Sequence, residues 1–267
     1  MRQATFDKLR DIVYDASGIS LSPAKLALLT ARTGKRMRVL GLTDHDDYLK
    51  RLEDDESGAE LVCLLDVVST NVTSFFREPS HFDVARLAVQ DWLAEGRLRL
   101  RFWSAACSSG EEPYSLAMTV LDTIGNHGVD VRILGTDIST RALTVANEGR
   151  YSESRTETIP EDLRERYATR TGDRGDRAWS MGDQVREMCV FRRLNLSTPP
   201  YPISGPLDMI FCRNVMIYFD KRVRQAVLDE MHRVLRPGGL LIVGHAESLA
   251  ARAPGFRLVR PSVFRRD

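Results

Sequence analysis

Three strings in this 267-residue chain put small, acidic and amide residues where an α/β sheet does its chemistry. In FWSAACSSGEEPYS (102–115) a strand-like run enters a turn of small residues and leaves it as a helix. Such a turn lets a ligand reach the backbone, and the helix N-terminus offers free N–H groups. Ala105, Ala106, Ser108 and Ser109 take the small positions and Gly110 is the only glycine, so the loop departs from GxGxxG. Glu111 and Glu112 would set negative charge where a pyrophosphate would lie, which disfavours a dinucleotide and favours a cationic ligand. The alternative role for both acids is to complement the positive end of the helix. In LGTDIS (134–139), Asp137 ends a second strand candidate. An acid there, ~20 residues or more beyond the loop, accepts hydrogen bonds from ribose hydroxyls. Asp137 is equally a candidate N-cap for a helix beginning near Ser139, and the two roles can coexist. FCRNVMIYF (211–219) sets Arg213, Asn214 and Tyr218 at and just past a strand's C-terminal end, the ligand-binding edge of open sheets.

A fourth string, NVTSFFRE (71–78), offers the amide of Asn71, the hydroxyl of Thr73 and the guanidinium of Arg77 beside two phenylalanines. It lies at a change in character of the chain, and junctions between domains are common sites. The plainer reading is that Phe75 and Phe76 pack the junction while Arg77 makes a surface ion pair.

The elements that must carry these strings follow from periodicity. Residues 1–70 read as helices only: Phe6, Leu9, Ile12, Val13 and Ala16 recur at helical spacing before Gly18. The next helix should start at Ser22-Pro23 and end at Gly41. Amphipathic stretches around Tyr48, Leu49 and Leu52, and from Ser57 to Val68, complete a small bundle. Residues 71–96 read as a linker and junction helix. From residue 97 the runs 98–106, 131–137, 206–214 and 239–245 have strand length and alternate with helical segments such as 113–124 and 221–235. That alternation implies βαβ units and a mostly parallel sheet, to which the tail 256–266 would add a last antiparallel edge strand. About 150–194 the pattern breaks into a polar helix, the turn TGDRGDR (171–177) and strand candidates near 178–181 and 188–191, read as an inserted β-subdomain.

Composition excludes several classes. Lys and Arg number 38 against 37 Asp and Glu, a net charge of +1, so no global field draws the chain to nucleic acid or membrane. The four cysteines show no CxxC or Cys/His spacing for a metal, no metal is expected, and reduced thiols in a cytoplasm fit best. The N-terminal MRQATFDKLRD lacks the apolar run of a signal peptide, and no stretch approaches ~18 apolar residues, so neither secretion nor membrane insertion is expected.

Taken together, NVTSFFRE, WSAACSSGEEPYS, GTDIS, LNL, IFCRNVMIYFDK and GHAES, in that order, resemble the chemotaxis receptor methyltransferases, the CheR family. IFCRNVMIYF is the most specific of these strings. The resemblance runs from the N-terminal helices to the last strand. It implies an N-terminal all-α domain (1–70), the linker, and a Rossmann-like S-adenosylmethionine-dependent methyltransferase domain (97–267) with a small inserted β-subdomain. It implies methylation of glutamate side-chain carboxylates on chemotaxis receptors, giving S-adenosylhomocysteine. Carried over by position, the cofactor contacts fall on Asn71, Thr73, Arg77, Glu112, Asp137, Asn195, Leu196, Asn214 and Val215. Arg77 and Tyr218 stand as the catalytic candidates beside the transferred methyl.

Between Asp15 and Asp44 there is no acid, while Lys25, Arg32, Lys35, Arg36 and Arg38 carry positive charge. Lys25, Arg32 and Arg36 share a helix face. As the resemblance also implies, this is a docking surface for the glutamate-bearing cytoplasmic helices of a methyl-accepting receptor; the alternative is a solvated face. The insertion corresponds to the subdomain that in some members captures a receptor C-terminal tether peptide by strand addition, with 178–181 and 188–191 as the expected edges. TGDRGDR resembles the glycine-containing loop of those members only loosely, so tether binding stays open. Competing readings are a methyltransferase for a small molecule or nucleic acid, a non-catalytic module that binds cofactor or receptor, and a dehydrogenase. Near-neutral charge opposes nucleic acid and Glu111-Glu112 opposes the dehydrogenase. Cys107 and Cys212 lack a base to activate them and read as core fillers.

Overall fold

The computed structural model describes residues 1–125, 127–172, 177–247 and 254–267. Its N-terminal part is helical: α1 (Gln3–Ser17), α2 (Leu26–Leu40), α3 (His45–Glu53) and α4 (Ala59–Val68). Phe6, Leu9 and Val13 of α1, Leu29 and Met37 of α2, Tyr48 and Leu52 of α3, and Leu64 and Val68 of α4 meet in one core. The sets of α1, α3 and α4 recur at three or four residues and that of α2 at eight, spacings that put an apolar stripe on one side of each helix. The entry to α2 differs from the expected Ser-Pro cap. Pro23–Lys25 form a 3-10 turn closed by Lys25 N–H on Ser22 O (2.8 Å), and Ser22 makes no side-chain cap. Lys25 N–H, a donor that a Ser22 side-chain cap would accept, is taken by the Ser22 carbonyl instead, and tight turns of this kind often open helices.

The basic face of α2 is partly committed inside the protein, which corrects its reading as one docking face. Arg36 grips Glu60 with Nε (2.9 Å) and Nη2 (2.6 Å), and Tyr48 Oη donates to the same carboxylate (2.9 Å). Arg32 bonds Val68 O and Thr70 Oγ1. Glu60 is buried, so it needs these partners. Lys35 and Arg38 are exposed, and Lys25 is half-buried with its Nζ 5.5 Å from the Tyr218 ring centre.

After α5 (Ser80–Ala94) the chain alternates as β1 (Arg99–Ala105), α6 (Glu111–Ile124), β2 (Asp130–Asp137) and α7 (Thr140–Glu148). An excursion follows: β3 (Arg150–Ser152), α8 (Glu153–Thr156), α9 (Glu161–Tyr167), β4 (Ala168–Thr171), β5 (Ala178–Met181) and α10 (Asp183–Met188). The sheet resumes with β6 (Cys189–Arg193), β7 (Leu207–Cys212), α11 (Lys221–Val234), β8 (Leu235–Val243), β9 (Phe256–Arg260) and β10 (Val263–Arg266). The main sheet runs β6-β2-β1-β7-β8-β10-β9, parallel through β8 and antiparallel beyond it. Alternation sorts the strand side chains to its two faces. Phe102, Phe211 and Ile242 pack toward α5 and α6, whereas Trp103, Ile210 and Leu241 pack toward α11. β7 is buried along its whole length, as a strand covered on both faces must be.

Two strand expectations change. The tail forms a hairpin, not one strand, because Pro261 and Ser262 (φ 62°) turn the chain between β9 and β10. Of the two edges expected in the insertion, residues 178–181 are the central strand of a separate antiparallel sheet ordered β3-β5-β4. The other, β6, pairs in parallel with β2 from Ile133↔Cys189 to Asp137↔Arg193 and so belongs to the main sheet. Of the TGDRGDR turn, residues 173–176 lie outside the described residues. Among the described residues no helix is long and apolar enough to cross a membrane.

Arg36→Ala should destabilise the protein by on the order of 3 kcal/mol in urea unfolding, because it leaves the Glu60 carboxylate buried without its cation. Lys35→Ala should change stability by less than about 0.5 kcal/mol.

Candidate active site

Past the carboxyl ends of β1, β2 and β7 lies a cleft whose empty volume, counting the part open to solvent, is about 920 Å³. The chain leaves β1 toward β2 and returns to the other side of β1 as β7, so the cleft sits at the switch point of the sheet. Ser17 and Ile19, at the end of α1, and the segment 69–77 line it from the helical side.

The loop after β1 holds its shape without a glycine-rich string. Ala106 (φ 63°) and Ser108 (φ 51°) are left-handed, and Cys107 N–H is held by Thr136 O at 2.8 Å. Gly110 (φ 94°) has no substitute, since a Cβ would stand 2.9 Å from both Ala146 Cβ and the Tyr151 hydroxyl. Glu111 and Glu112 then open α6, both buried. Each has its own arginine, so the loop is less bare of positive charge than its sequence implies. Glu111 pairs with Arg155 and accepts from Ser109 Oγ (2.8 Å). Glu112 accepts from Ser104 Oγ (2.6 Å) and Arg213 Nη1 (2.9 Å), and it alone of the two lines the cleft. Burial pushes the Glu112 carboxyl above the usual range, with Arg213 opposing.

Asp137 ends β2 and lines the same cleft. Its Oδ2 accepts Ser108 N–H and its Oδ1 accepts Ser139 N–H, both at 2.8 Å. The N-cap of α7 is Ser139 itself, accepting from Ala142 N–H at 3.2 Å, so Asp137 braces the β1 loop against the start of α7. Burial raises its pKa, and the backbone N–H groups offset part of that rise.

The junction string meets both of its readings. Phe75 is buried edge-on against Tyr151 at 4.9 Å and Phe76 packs on Phe82 at 5.1 Å, which is the plain packing role. Asn71, Thr73 and Arg77 nonetheless line the cleft. Asn71 Nδ2 donates to Ser139 Oγ (3.3 Å), and Arg77 Nη1 donates to Val72 O (3.1 Å) rather than to an acid. Phe76 (φ 51°) and Glu78 (φ 55°) flank Arg77 in left-handed backbone, a strained state for such side chains.

Asn195 and Leu196 reach the cleft from the segment after β6, with the Asn195 amide turned to its neighbours: Nδ2 donates to Ala16 O (2.9 Å) and Oδ1 accepts Ser197 N–H (3.0 Å). Asn214 (φ 58°), Val215 and Tyr218 line it after β7. Tyr218 lies in the 3-10 turn Met216–Tyr218 and its carbonyl accepts Ser20 N–H at 2.8 Å. Every cofactor and catalytic candidate therefore meets in one cleft. The docking candidates Arg32, Lys35, Arg36 and Arg38 lie outside it, and Lys25 touches it only through the Tyr218 ring.

Two charged residues that hold the site were not given this part by the sequence, which set Arg213 only at the ligand-binding edge and did not single out Glu247. Arg213 is buried and bonds Glu112, Arg77 O (2.5 Å) and Glu78 (3.2 Å). Glu247 accepts four backbone N–H groups around Asn214–Met216. The available signal was their setting: each is a lone charge inside a string otherwise read for its neighbours. Glu78, His81 and His245 also come within 4.8 Å of one another. The Arg213 guanidinium already claims Glu78 and would repel a cation there, so we read the trio as packing around that ion pair.

A mostly parallel sheet with a polar cleft at its switch point, an acid at the end of β2 and a charged pair at the start of α6 defines a nucleotide-cofactor enzyme of the α/β class. Comparison with known proteins gives the particular family. The CheR methyltransferase SAM-binding domain matches residues 71–263, and the CheR methyltransferase all-α domain matches residues 4–69. Chemotaxis protein methyltransferase 2 of Pseudomonas aeruginosa is 38% identical over 265 residues, covering 97% of this chain and 91% of the relative. The chemotaxis protein methyltransferase of Borreliella burgdorferi is 35% identical (97% and 93%), and that of Escherichia coli 34% identical (99% and 91%). The chain belongs to the CheR methyltransferase family, and its cofactor is S-adenosylmethionine.

Burial lowers His81 from its usual value to about 4, with Arg213 and His245 lowering it further and Glu78 opposing. A histidine held neutral in the fold is protonated more readily when unfolded, so its contribution is full above pH ~6.5 and is lost as pH falls toward 4. Denaturant titrations should show His81→Phe losing less stability than wild type across that window, by up to roughly 3 kcal/mol; parallel loss would remove His81 as the sensor.

Proposed function

We propose that this chain transfers a methyl group from S-adenosylmethionine to glutamate side-chain carboxylates of chemotaxis receptors, forming glutamyl methyl esters in sensory adaptation. The carrying observation is the convergence of Glu112, Asp137, Arg77 and Tyr218, each from a different string, on one cleft. In this reading Asp137 holds the ribose and Glu112 faces the amino-acid part. Asn71, Thr73, Arg77, Asn195, Leu196, Asn214 and Val215 complete the contacts. The cleft fits such a molecule because carboxylates and a guanidinium share its wall with Ile138, Leu196 and Val215.

When bound, S-adenosylmethionine supplies an electrophilic methyl on a positively charged sulfur. An acceptor glutamate with pKa ~4.3 is already anionic at neutral pH, so no general base is required. The protein's task is alignment of the attacking oxygen with the methyl and its leaving group. Arg77 orients the incoming carboxylate through a charge-assisted hydrogen bond, and Tyr218 steadies the pair. Arg77 is half-exposed, so its grip is moderated by water. That suits catalysis, because a tight hold on the carboxylate would stabilise the ground state.

In this reading the receptor segment presented is a helical, glutamate-bearing part of the receptor's cytoplasmic region, and the reaction takes place in the cytoplasm. Lys35 and Arg38 are the exposed charges on α2 that meet it, with Lys25 beside Tyr218. Tether capture by strand addition would use β3 or β4, since these carry the outer edges of the small sheet.

Titration of the purified protein with S-adenosylhomocysteine should show one saturable site, weakened about tenfold or more by Asp137→Ala. Arg77→Ala should lose both this affinity and the formation of alkali-labile methyl on a receptor fragment. Absence of binding by folded protein would sink the enzyme reading.

Reversing Lys35 and Arg38 together to glutamate should lower the rate on receptor roughly tenfold at low salt and leave S-adenosylhomocysteine affinity unchanged. A receptor rate that stays flat from low to high ionic strength would remove α2 as the docking surface.

A further inference from the structure

We infer that Glu247 is a positioning residue that sets the cleft-lining segment Asn214–Met216 in its binding conformation, an inference that rests on reading the cleft as the cofactor site. β7 ends at Cys212 and the 3-10 turn begins at Met216, so Asn214 and Val215 belong to no regular element. Their N–H groups have neither a ladder nor a helix to bond. The Glu247 carboxylate supplies the missing acceptors. Its Oε2 takes Asn214 N–H and Gly244 N–H, both at 2.7 Å, and its Oε1 takes Val215 N–H at 2.8 Å and Met216 N–H at 2.7 Å.

A carboxylate offers about four lone-pair sites, so Glu247 is saturated by backbone alone. It is 7% exposed, with no ion pair to it among the described residues, so oriented N–H dipoles balance its charge. Successive N–H groups can converge on one anion only if the chain curls, and Asn214 does so in left-handed backbone at φ 58°. The clamp also requires a glycine opposite. A Cβ on Gly244 would stand 2.7 Å from Asn214 Nδ2 and 2.9 Å from Glu247 Oε2. Glu247 therefore ties the loop after β8 to the loop after β7, and its partners Asn214 and Val215 line the cleft.

Asp208 provides the contrast. It is a buried carboxylate on β7, accepting Arg101 N–H (2.7 Å), Arg97 Nη2 (2.5 Å) and Arg236 Nε (2.7 Å) near the start of that strand, away from the cleft. A purely structural role for Glu247 would make the two acids behave alike.

The test compares Glu247→Gln, Glu247→Asp, Gly244→Ala and Asp208→Asn by thermal midpoint, S-adenosylhomocysteine titration, and kcat and KM for S-adenosylmethionine on a receptor fragment. Glu247→Gln turns an NH2 group toward two N–H donors and should weaken S-adenosylhomocysteine about tenfold or more, with KM rising in step. Glu247→Asp, one methylene short, should recover part of that loss. Gly244→Ala, which pushes on the same clamp from the other side, should shift affinity in the same direction. Asp208→Asn should lower the midpoint and leave affinity unchanged. A folded Glu247→Gln with wild-type affinity would overturn the inference. Should Glu247→Gln fail to fold, wild-type affinity in Gly244→Ala overturns it instead. Failure of the wild type to bind S-adenosylhomocysteine would overturn the cofactor reading itself.

Discussion

The buried guanidinium of Arg213 is the charge around which the site is built. Taking an arginine out of water costs several kcal/mol unless carboxylates and carbonyls replace the solvent. Here Glu112 from α6 and Glu78 from the junction supply opposite charge, and Arg77 O takes a further N–H. One side chain just past β7 thus fixes the start of α6 and the segment that presents Arg77. The left-handed residues Phe76 and Glu78 show that this segment would not adopt its path unaided. Paired buried charges are weak contributors to stability, yet losing one partner costs about 3–5 kcal/mol, so the arrangement favours a single geometry more than it favours mere folding.

The helical part is joined to the same frame by polar contacts, most of them at its ends. Asn195 donates to Ala16 O, Ser20 N–H to Tyr218 O, Thr140 Oγ1 to Asp66 (2.8 Å), and Tyr14 Oη to Asp220 (2.5 Å), beside the N-terminus of α11. Each of these bonds sits at or next to a cleft-lining segment. The bundle is therefore a wall of the cleft, and Ser17 and Ile19 belong to the lining for that reason.

Much of this was legible because the chemistry sits where elements end. Asn71, Thr73, Arg77, Asp137, Asn214 and Tyr218 each lie at a break between a periodic run and a turn, which sequence marks clearly. What stayed hidden depends on partners far along the chain. Arg213 meets residues 136 and 101 positions away, and Glu247 closes a loop 33 positions before it. The basic face of α2 looked unpaired because no acid stands near it in sequence. Arg36 nevertheless finds Glu60 on α4, 24 residues on. Strand membership was equally hidden, since four or five apolar residues form a strand in either sheet. Only the parallel register against β2 assigns β6 to the main one.

The residues that could have supplied conventional nucleophilic chemistry are out of play. Cys107 and Cys212 are fully enclosed, and burial drives both thiols well above their ordinary range, so neither offers a thiolate. Tyr114, Tyr151 and Tyr201 are likewise pushed up by burial and their hydroxyls donate to backbone carbonyls. What remains at the cleft is a set of groups that hold and aim. This agrees with a reaction whose nucleophile arrives already ionised on the partner protein. The loop that leaves α1 and enters α2 then gains a particular interest. Lys25 sits on the Tyr218 ring, and Ser20 N–H holds the carbonyl of the same tyrosine. A partner that pulls on the start of α2 acts on Tyr218 through one cation–π contact and one backbone hydrogen bond. In the proposed reading, recognition of a receptor and alignment of its carboxylate would share this mechanical element.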